Sequence, residues 1–279
     1  MGLFKWSKDV HYEEKNIFGH HVLVMTVCNE EAGKRLNRAV GDYYTIEVGT
    51  PLHELMEMRN LCECLVAILE TALEPLYGKR LLIVGLGNPN DPADALGPEV
   101  TRFMPLRFLA EYFKDQGRFE DAIAYTPGVA MNNNLATEMM VKGMVEVSRA
   151  DGLVLIDSEI TKDYSHLFSV IEVSTAGGFS SHIGDVQADW SSLGIPVVSV
   201  GVPMAMPGDY LLPGEAGKGS IFTESRVGDV MISARAIITY ALIRVGWPEI
   251  PQSQCYAFSK IMKDPTSLVG GTFFLGGEE

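Results

Sequence analysis

The segment at residues 81–98, LLIVGLGNPNDPADALGP, limits the fold of this chain more than any other part of it. It begins as an apolar run, LLIVGLG, whose composition is typical of a strand buried on both faces of a sheet. It continues as a loop rich in Gly, Asn and Pro, and a helix is predicted to begin at Gly97-Pro98-Glu99. A strand that leads through a short loop into a helix is the repeating unit of α/β folds.

Further apolar and periodic segments extend this pattern along the chain. Strands are predicted at residues 21–28, 42–48, 81–87, 152–156, 168–173 and 195–202, and helices at 50–77, 97–112, 137–149 and 227–245. The first two strands are expected to form a small antiparallel unit at the edge of a mostly parallel sheet. Because the chain has no repeat and no low-complexity linker, we expect a single α/β domain over residues 1–279, with a core at 20–247 and a tail or arm at 248–279.

Two aspartates follow two of the predicted strands. Asp94 lies in the loop after the first of them, just before the predicted helix, and Asp157 ends the apolar run LVLI. Open α/β sheets bind their ligands outside the carboxyl ends of the strands, so we expect both side chains in one cleft. Two carboxyls that share a site can hold different pKa values, so that one acts as a base and the other as an acid. The pair therefore predicts a hydrolase.

Other residues of these loops are candidates for supporting roles. Gly87 and Asn88 offer backbone N–H groups that could hold a substrate carbonyl oxygen or a developing oxyanion. Glu159 and Asp163 follow Asp157 on a predicted loop, where they either tune Asp157 by like-charge repulsion or are ordinary surface acids. Two further motifs fail on spacing: a dinucleotide fingerprint lacks its third glycine, and a serine nucleophile lacks the GxSxG pattern.

The composition excludes several classes of protein. A formal net charge of −14 would repel phosphate groups, so neither nucleic acid nor an anionic membrane surface is an expected partner. No apolar run has the length of a membrane span or a signal peptide, and we expect a cytoplasmic protein. The four cysteines fit neither a zinc knuckle nor a CxxC redox pair.

Four segments resemble the spore germination protease family, whose members are endopeptidases that degrade small acid-soluble spore proteins. They are GDYYTIEV at 41–48, GLGNPNDPADALGP at 85–98, LVLIDSE at 153–159 and LGIPVVSVGVP at 193–203. The resemblance covers residues 22–245. It implies a three-layer α/β/α sandwich of the phosphorylase/hydrolase-like kind, a homo-oligomer, and a protein or peptide substrate. It also implies that Asp94 and Asp157 are the catalytic pair, with no cofactor.

Two alternatives stay open. The segment TAGGFSSHIGD at 175–185 contains His182, and the order Asp94, Asp157, His182 resembles that of nickel-dependent hydrogenase-maturation peptidases. One imidazole and two carboxylates suit a divalent metal such as nickel with open coordination positions. Without a metal, His182 is expected to contact the substrate or to be a polar loop residue. The other alternative is a non-catalytic binding protein that retains the fold.

Overall fold

A nine-stranded sheet organises the residues that the computed structural model describes, which are 9–55, 58–129, 135–178, 190–211 and 217–261. Its strands are β1 (Val10–Ile17), β2 (His20–Val27), β3 (Gly41–Glu47), β4 (Arg80–Gly85), β5 (Asp121–Tyr125), β6 (Gly152–Ile160), β7 (Val170–Ser174), β8 (Val197–Pro207) and β9 (Ile221–Phe222). The helices of the same ranges are α1 (Glu30–Leu36), α2 (Arg59–Leu73), α3 (Leu96–Phe103), α4 (Leu106–Tyr112), α5 (Thr137–Ser148), α6 (Val227–Gly246) and α7 (Gln252–Ile261).

The sheet combines a parallel part with an antiparallel part in the order β1-β2-β3-β7-β8-β6-β4-β5. Strands β8, β6, β4 and β5 pair in parallel. From β8 outward, β7, β3, β2 and β1 pair antiparallel, and β9 pairs antiparallel with the far end of β8. The predicted α/β class is confirmed, and the predicted N-terminal unit lies at one edge of the sheet. β7 joins that unit to the parallel strands.

Helices cover both faces of the sheet. Side chains alternate along β4, so that Leu81 and Ile83 enter one hydrophobic cluster while Leu82 and Val84 enter another. The first cluster is closed by α2, α3, α6 and α7, and the second by α5. This is the three-layer α/β/α arrangement.

Two predicted helices differ from the structure at their ends. The helix predicted at 50–77 begins only at Arg59, because the N–H of Leu52 donates to the carbonyl of Phe168 (2.8 Å) and Leu55 has extended backbone angles. The helix predicted at 97–112 is divided into α3 and α4 at Pro105, which has no N–H to continue the helix. The prediction of one continuous helix is wrong in both places.

The ends of the described chain add elements that the sequence pattern did not predict. Most side chains of β1 are exposed and several are charged, which is typical of an edge strand. Because both faces of β1 carry polar residues, the alternation of apolar and polar residues that predicts a strand is missing. At the other end, α7 packs against α6, and its Cys255 and Phe258 are buried in the first hydrophobic cluster. All four cysteines are free. Within the described ranges, no helix is both long enough and apolar enough to cross a bilayer.

Candidate active site

The candidate site lies where β4 and β6 end at the same edge of the parallel sheet. Gly85 at the end of β4 is the register partner of Ile156, and the N–H of Leu86 donates to the carbonyl of Ile156 (2.8 Å). The loop that carries Asp94 therefore leaves β4 directly beside Asp157. β6 continues to Ile160, so Asp157 lies inside the strand and not at its end as predicted.

Glycines let the Asp94 loop pack directly on its neighbours. Gly87 has a φ of +113°, and a Cβ there would lie 2.0 Å from the carbonyl oxygen of Asp94 and 2.7 Å from its Oδ1. A Cβ on Gly97 would lie 2.3 Å from the carbonyl oxygen of Ile156. Because any larger residue would push the loop away, these two positions fix the approach of Asp94 to β6.

Backbone N–H groups hold both carboxyls. The N–H of Asn88 donates to Oδ2 of Asp94 (2.9 Å), and the N–H of Ser158 donates to Oδ1 of Asp157 (2.8 Å). The N–H of Leu96, at the start of α3, donates to the hydroxyl of Ser158 (3.3 Å), which ties the helix to β6. Each carboxyl thus keeps one oxygen that accepts none of these bonds.

The surroundings of the pair raise both pKa values. Burial raises the pKa of Asp94 from 3.8 to about 6, although the Asn88 hydrogen bond opposes the change. Burial, together with the negative charge of Asp94, raises the pKa of Asp157 to about 7. Because both pKa values are raised and each charge opposes the other, the site can hold one proton between the two carboxyls near neutral pH.

Two more carboxyls lie on the same face of the sheet as Asp157. Glu159 is only 7% exposed, because β6 continues past it, so the prediction of a surface loop at this position is wrong. Glu172 on β7 is the register partner of Gly201, which in turn pairs with Asp157. Burial raises the pKa of both glutamates, and the charge of Asp157 adds to the effect at Glu159. Asp163, in contrast, is exposed in a turn.

The other candidate residues do not belong to the aspartate pair itself. The N–H of Asn88 already donates to Asp94, so this residue contributes by holding that carboxylate, and Gly87 contributes by leaving room for it. His182 lies outside the described residues. In the part of the chain that is described, no group of three or more His, Cys, Asp and Glu side chains could hold a metal ion.

Sequence reasoning missed Glu172 and Ser158. A charged residue inside the apolar strand segment VIEVS was the available signal for Glu172. Ser158 had none, because its contact with Leu96 joins segments that only the fold brings together.

The sequence model of the germination protease family matches residues 5–208. Germination proteases of Caldanaerobacter subterraneus subsp. tengcongensis and of Clostridium perfringens are each 30% identical to this chain, over 203 and 204 residues, which is 70% of the chain. The chain spans 62% of the length of these curated relatives. A solved NiFe hydrogenase maturation protease, HycI from Thermococcus kodakarensis KOD1, aligns with a TM-score of 0.38 and 17% identity, covering 63% of this chain and 97% of that chain.

Proposed function

Because this chain belongs to the germination protease family, we propose that it is an endopeptidase whose substrates are small acid-soluble spore proteins or proteins like them. The observation that carries this proposal is the pair of half-buried carboxyls, Asp94 and Asp157, which two backbone N–H groups hold at one edge of the sheet and whose pKa values are both raised. Acids with perturbed pKa values cluster at functional sites. The homo-oligomer implied by the resemblance and the cytoplasmic location expected from the sequence are proposals of the same kind.

In the proposed reaction, the two acids have complementary roles. The Asp94 carboxylate takes a proton from a water molecule, and the water oxygen attacks the carbonyl carbon of the peptide bond. Asp157 then gives its proton to the leaving nitrogen as the carbon–nitrogen bond breaks, which yields a carboxyl and an amine. The proton on Asp94 returns to Asp157 through solvent, which restores the starting state.

The geometry supports this division of roles at the level of single oxygens. Oδ2 of Asp94 accepts from Asn88, while Oδ1 lies against Gly87, which has no side chain. Both carboxylates accept one backbone hydrogen bond, so the assignment of Asp94 as the base rests on the charge of Asp94 acting on Asp157. The negative charge of Asp94 helps to raise the pKa of Asp157, which suits the acid.

The test is cleavage of purified small acid-soluble spore protein, with products identified by mass spectrometry. Asp94→Asn and Asp157→Asn should each lower kcat/KM by about 10²–10⁴-fold, which is the usual contribution of general acid–base catalysis. The control is Asp163→Asn, which makes the same chemical change at an exposed turn and should keep activity within a few-fold.

Each alternative has its own outcome in this experiment. Protein dialysed against EDTA should retain its activity, since neither step of the proposed reaction uses a metal ion. Activity that is lost with EDTA and restored by a divalent ion would overturn the two-acid reaction in favour of the metal-dependent peptidase. Intact activity in both Asn variants would exclude the pair as the catalytic groups. Failure of the unchanged protein to cleave any substrate would favour a binding protein.

A further inference from the structure

Arg235 is a buried cation in the middle of α6 that the proposed reaction does not use. It is only 3% exposed, and its Nη1 donates to Oε2 of Glu99 on α3 (3.3 Å). Among the residues that the structure describes, its Nε and Nη2 have no hydrogen-bond partner. Burial lowers the pKa of Arg235, and the charge of Glu99 opposes the change. The protein therefore keeps a charge in its interior that is costly to hold there.

The contacts of Arg235 are directed at two residues that lie one turn apart on α3. Besides its hydrogen bond to Glu99, its guanidinium carbon lies 4.4 Å from the centroid of the Phe103 ring. Arg102 contacts the same two side chains: its Nη1 is 3.4 Å from Oε1 of Glu99, and its guanidinium carbon is 5.2 Å from the centroid of the Phe103 ring. Because Arg102 is largely exposed, Glu99 and Phe103 each contact one buried and one exposed guanidinium.

A buried ion pair of this kind adds direction more than stability. Taking two charges out of water costs about as much as their attraction returns, so apolar residues of similar volume often stabilise a protein equally well or better. The hydrophobic contacts of α3 in the first cluster are non-directional. A charge-assisted hydrogen bond between a guanidinium and a carboxylate, in contrast, forms only at a defined distance and angle. The pair therefore constrains the position of α3 more sharply than its apolar neighbours do.

The constrained turn of α3 begins directly after the loop of Asp94. The N–H of Glu99 donates to the carbonyl of Ala95 (2.9 Å), and Ala95 directly follows Asp94 in the chain. Four residues of helix correspond to about 6 Å along the helix axis, so Arg235 acts one helical turn from the proposed base. The N–H of Leu96 ties the same turn to β6. A displacement of this turn therefore displaces Asp94 relative to β6.

We propose that Arg235 is a positioning residue, which fixes α3 through Glu99 and thereby holds the Asp94 carboxyl in its working position beside Asp157. The proposal rests on the proposed endopeptidase function and adds to it a contribution of α6, a helix that carries none of the candidate residues. Arg suits this task better than Lys, because its planar group can bind a carboxylate and stack on an aromatic ring at the same time.

The test removes both charges together, so that neither partner is left buried alone. Arg235→Met combined with Glu99→Gln should leave Tm unchanged or raise it. The kcat for cleavage of small acid-soluble spore protein should fall by about tenfold or more, because a misplacement of about 1 Å can cost about 10²-fold. KM should stay within about twofold, since α3 positions a reacting group and not the substrate. Arg235→Lys, which keeps the charge, should retain part of kcat.

The matched control is an exposed ion pair at the start of the same helix, in which Nε of Arg226 is 2.6 Å from Oδ2 of Asp229. Arg226→Met combined with Asp229→Asn removes the same two kinds of charge from α6 without touching α3, and it should leave kcat and Tm close to those of the unchanged protein. The proposal is wrong if removal of the Arg235 and Glu99 charges leaves kcat unchanged. A large loss of Tm in that variant would show that the pair has a structural role instead.

Hydrogen exchange separates this proposal from the proposed function, because it needs no activity. The N–H groups of Asn88 and Leu96 are held by the contacts of the Asp94 loop and of α3. In mass spectrometry, peptides that cover residues 86–103 should exchange about tenfold faster once both charges are removed, while β8 and the control variant exchange as before. Unchanged exchange in these peptides would refute the role of Arg235, whatever the activity. Faster exchange in a protein that cleaves no substrate would retain that role and refute the endopeptidase.

Discussion

Replacing Asp157 by Asn should stabilise the protein at pH 8 while it destroys the proposed activity. Burial and the charge of Asp94 raise the pKa of Asp157 from 3.8 to about 7 in the folded protein. An acid whose folded-state pKa is raised contributes its full stability below the unfolded pKa and loses it as the pH rises through the folded pKa. At pH 8 the folded protein therefore holds a carboxylate that is more stable in the unfolded chain. The Asn side chain has almost the same shape and no charge, so the variant avoids this loss of stability.

The size of the gain follows from the two pKa values. One pKa unit corresponds to about 1.36 kcal/mol, so a change from 3.8 to about 7 corresponds to about 4 kcal/mol at pH 8. Because the Asp157 side chain is partly exposed, solvent screening reduces this to roughly 2 kcal/mol. A gain of roughly 2 kcal/mol raises the Tm of a protein of this size by about 5 °C. At pH 5 the folded-state acid keeps its proton, and less than half of the gain should remain.

Differential scanning calorimetry of the unchanged protein and two variants at pH 8 and pH 5 measures this effect. Asp163→Asn is the control with the opposite sign, because hydrogen bonds from Ser165 lower the pKa of Asp163. The same chemical change at Asp163 should not raise Tm at pH 8. A Tm of Asp157→Asn that is unchanged at pH 8, or raised equally at both pH values, would refute the argument that this acid is held at a cost.

Two further substitutions test the structure around the pair. Gly87→Ala should lower Tm and should lower kcat/KM by at least about tenfold, because the added Cβ would displace Asp94 and a 1 Å misplacement of a catalytic group has effects of this size. The control is Gly143→Ala on α5, where a Cβ would contact nothing. This substitution should leave both quantities unchanged or raise Tm slightly. Glu159→Gln should raise Tm at pH 8 more than at pH 5, since burial raises the pKa of Glu159 as well. A Tm that responds equally at both pH values would show that folding does not raise the pKa of Glu159.

The strands that carry the pair could be predicted because their signals are local. Each is a short apolar run; Asp157 comes where its run gives way to polar residues, and Asp94 lies in the loop that follows the other run. The topology of an α/β unit then brings the two strand ends to one edge of the sheet. No knowledge of distant contacts was needed to place Asp94 beside Asp157.

The surroundings of the pair could not be predicted in the same way, because they depend on contacts between distant segments. β6 continues to Ile160 because β8 supplies pairing partners as far as Ala205, and this extension buries Glu159. The start of α2 depends on a hydrogen bond from Leu52 to Phe168, more than a hundred residues away. The break at Pro105, in contrast, was available in the sequence from the missing N–H of proline.

The contacts that bring the two acids together are also the cause of their raised pKa values. Gly87 and Gly97 let the backbones pack with almost no space between them, which partly buries both carboxyls and places one charge beside the other. A looser loop would hydrate the pair, lower both pKa values and leave two ordinary carboxylates at neutral pH. The same backbone contacts therefore produce both effects: they raise the pKa values that the proposed base and acid need, and they lower the stability of the folded protein at pH 8.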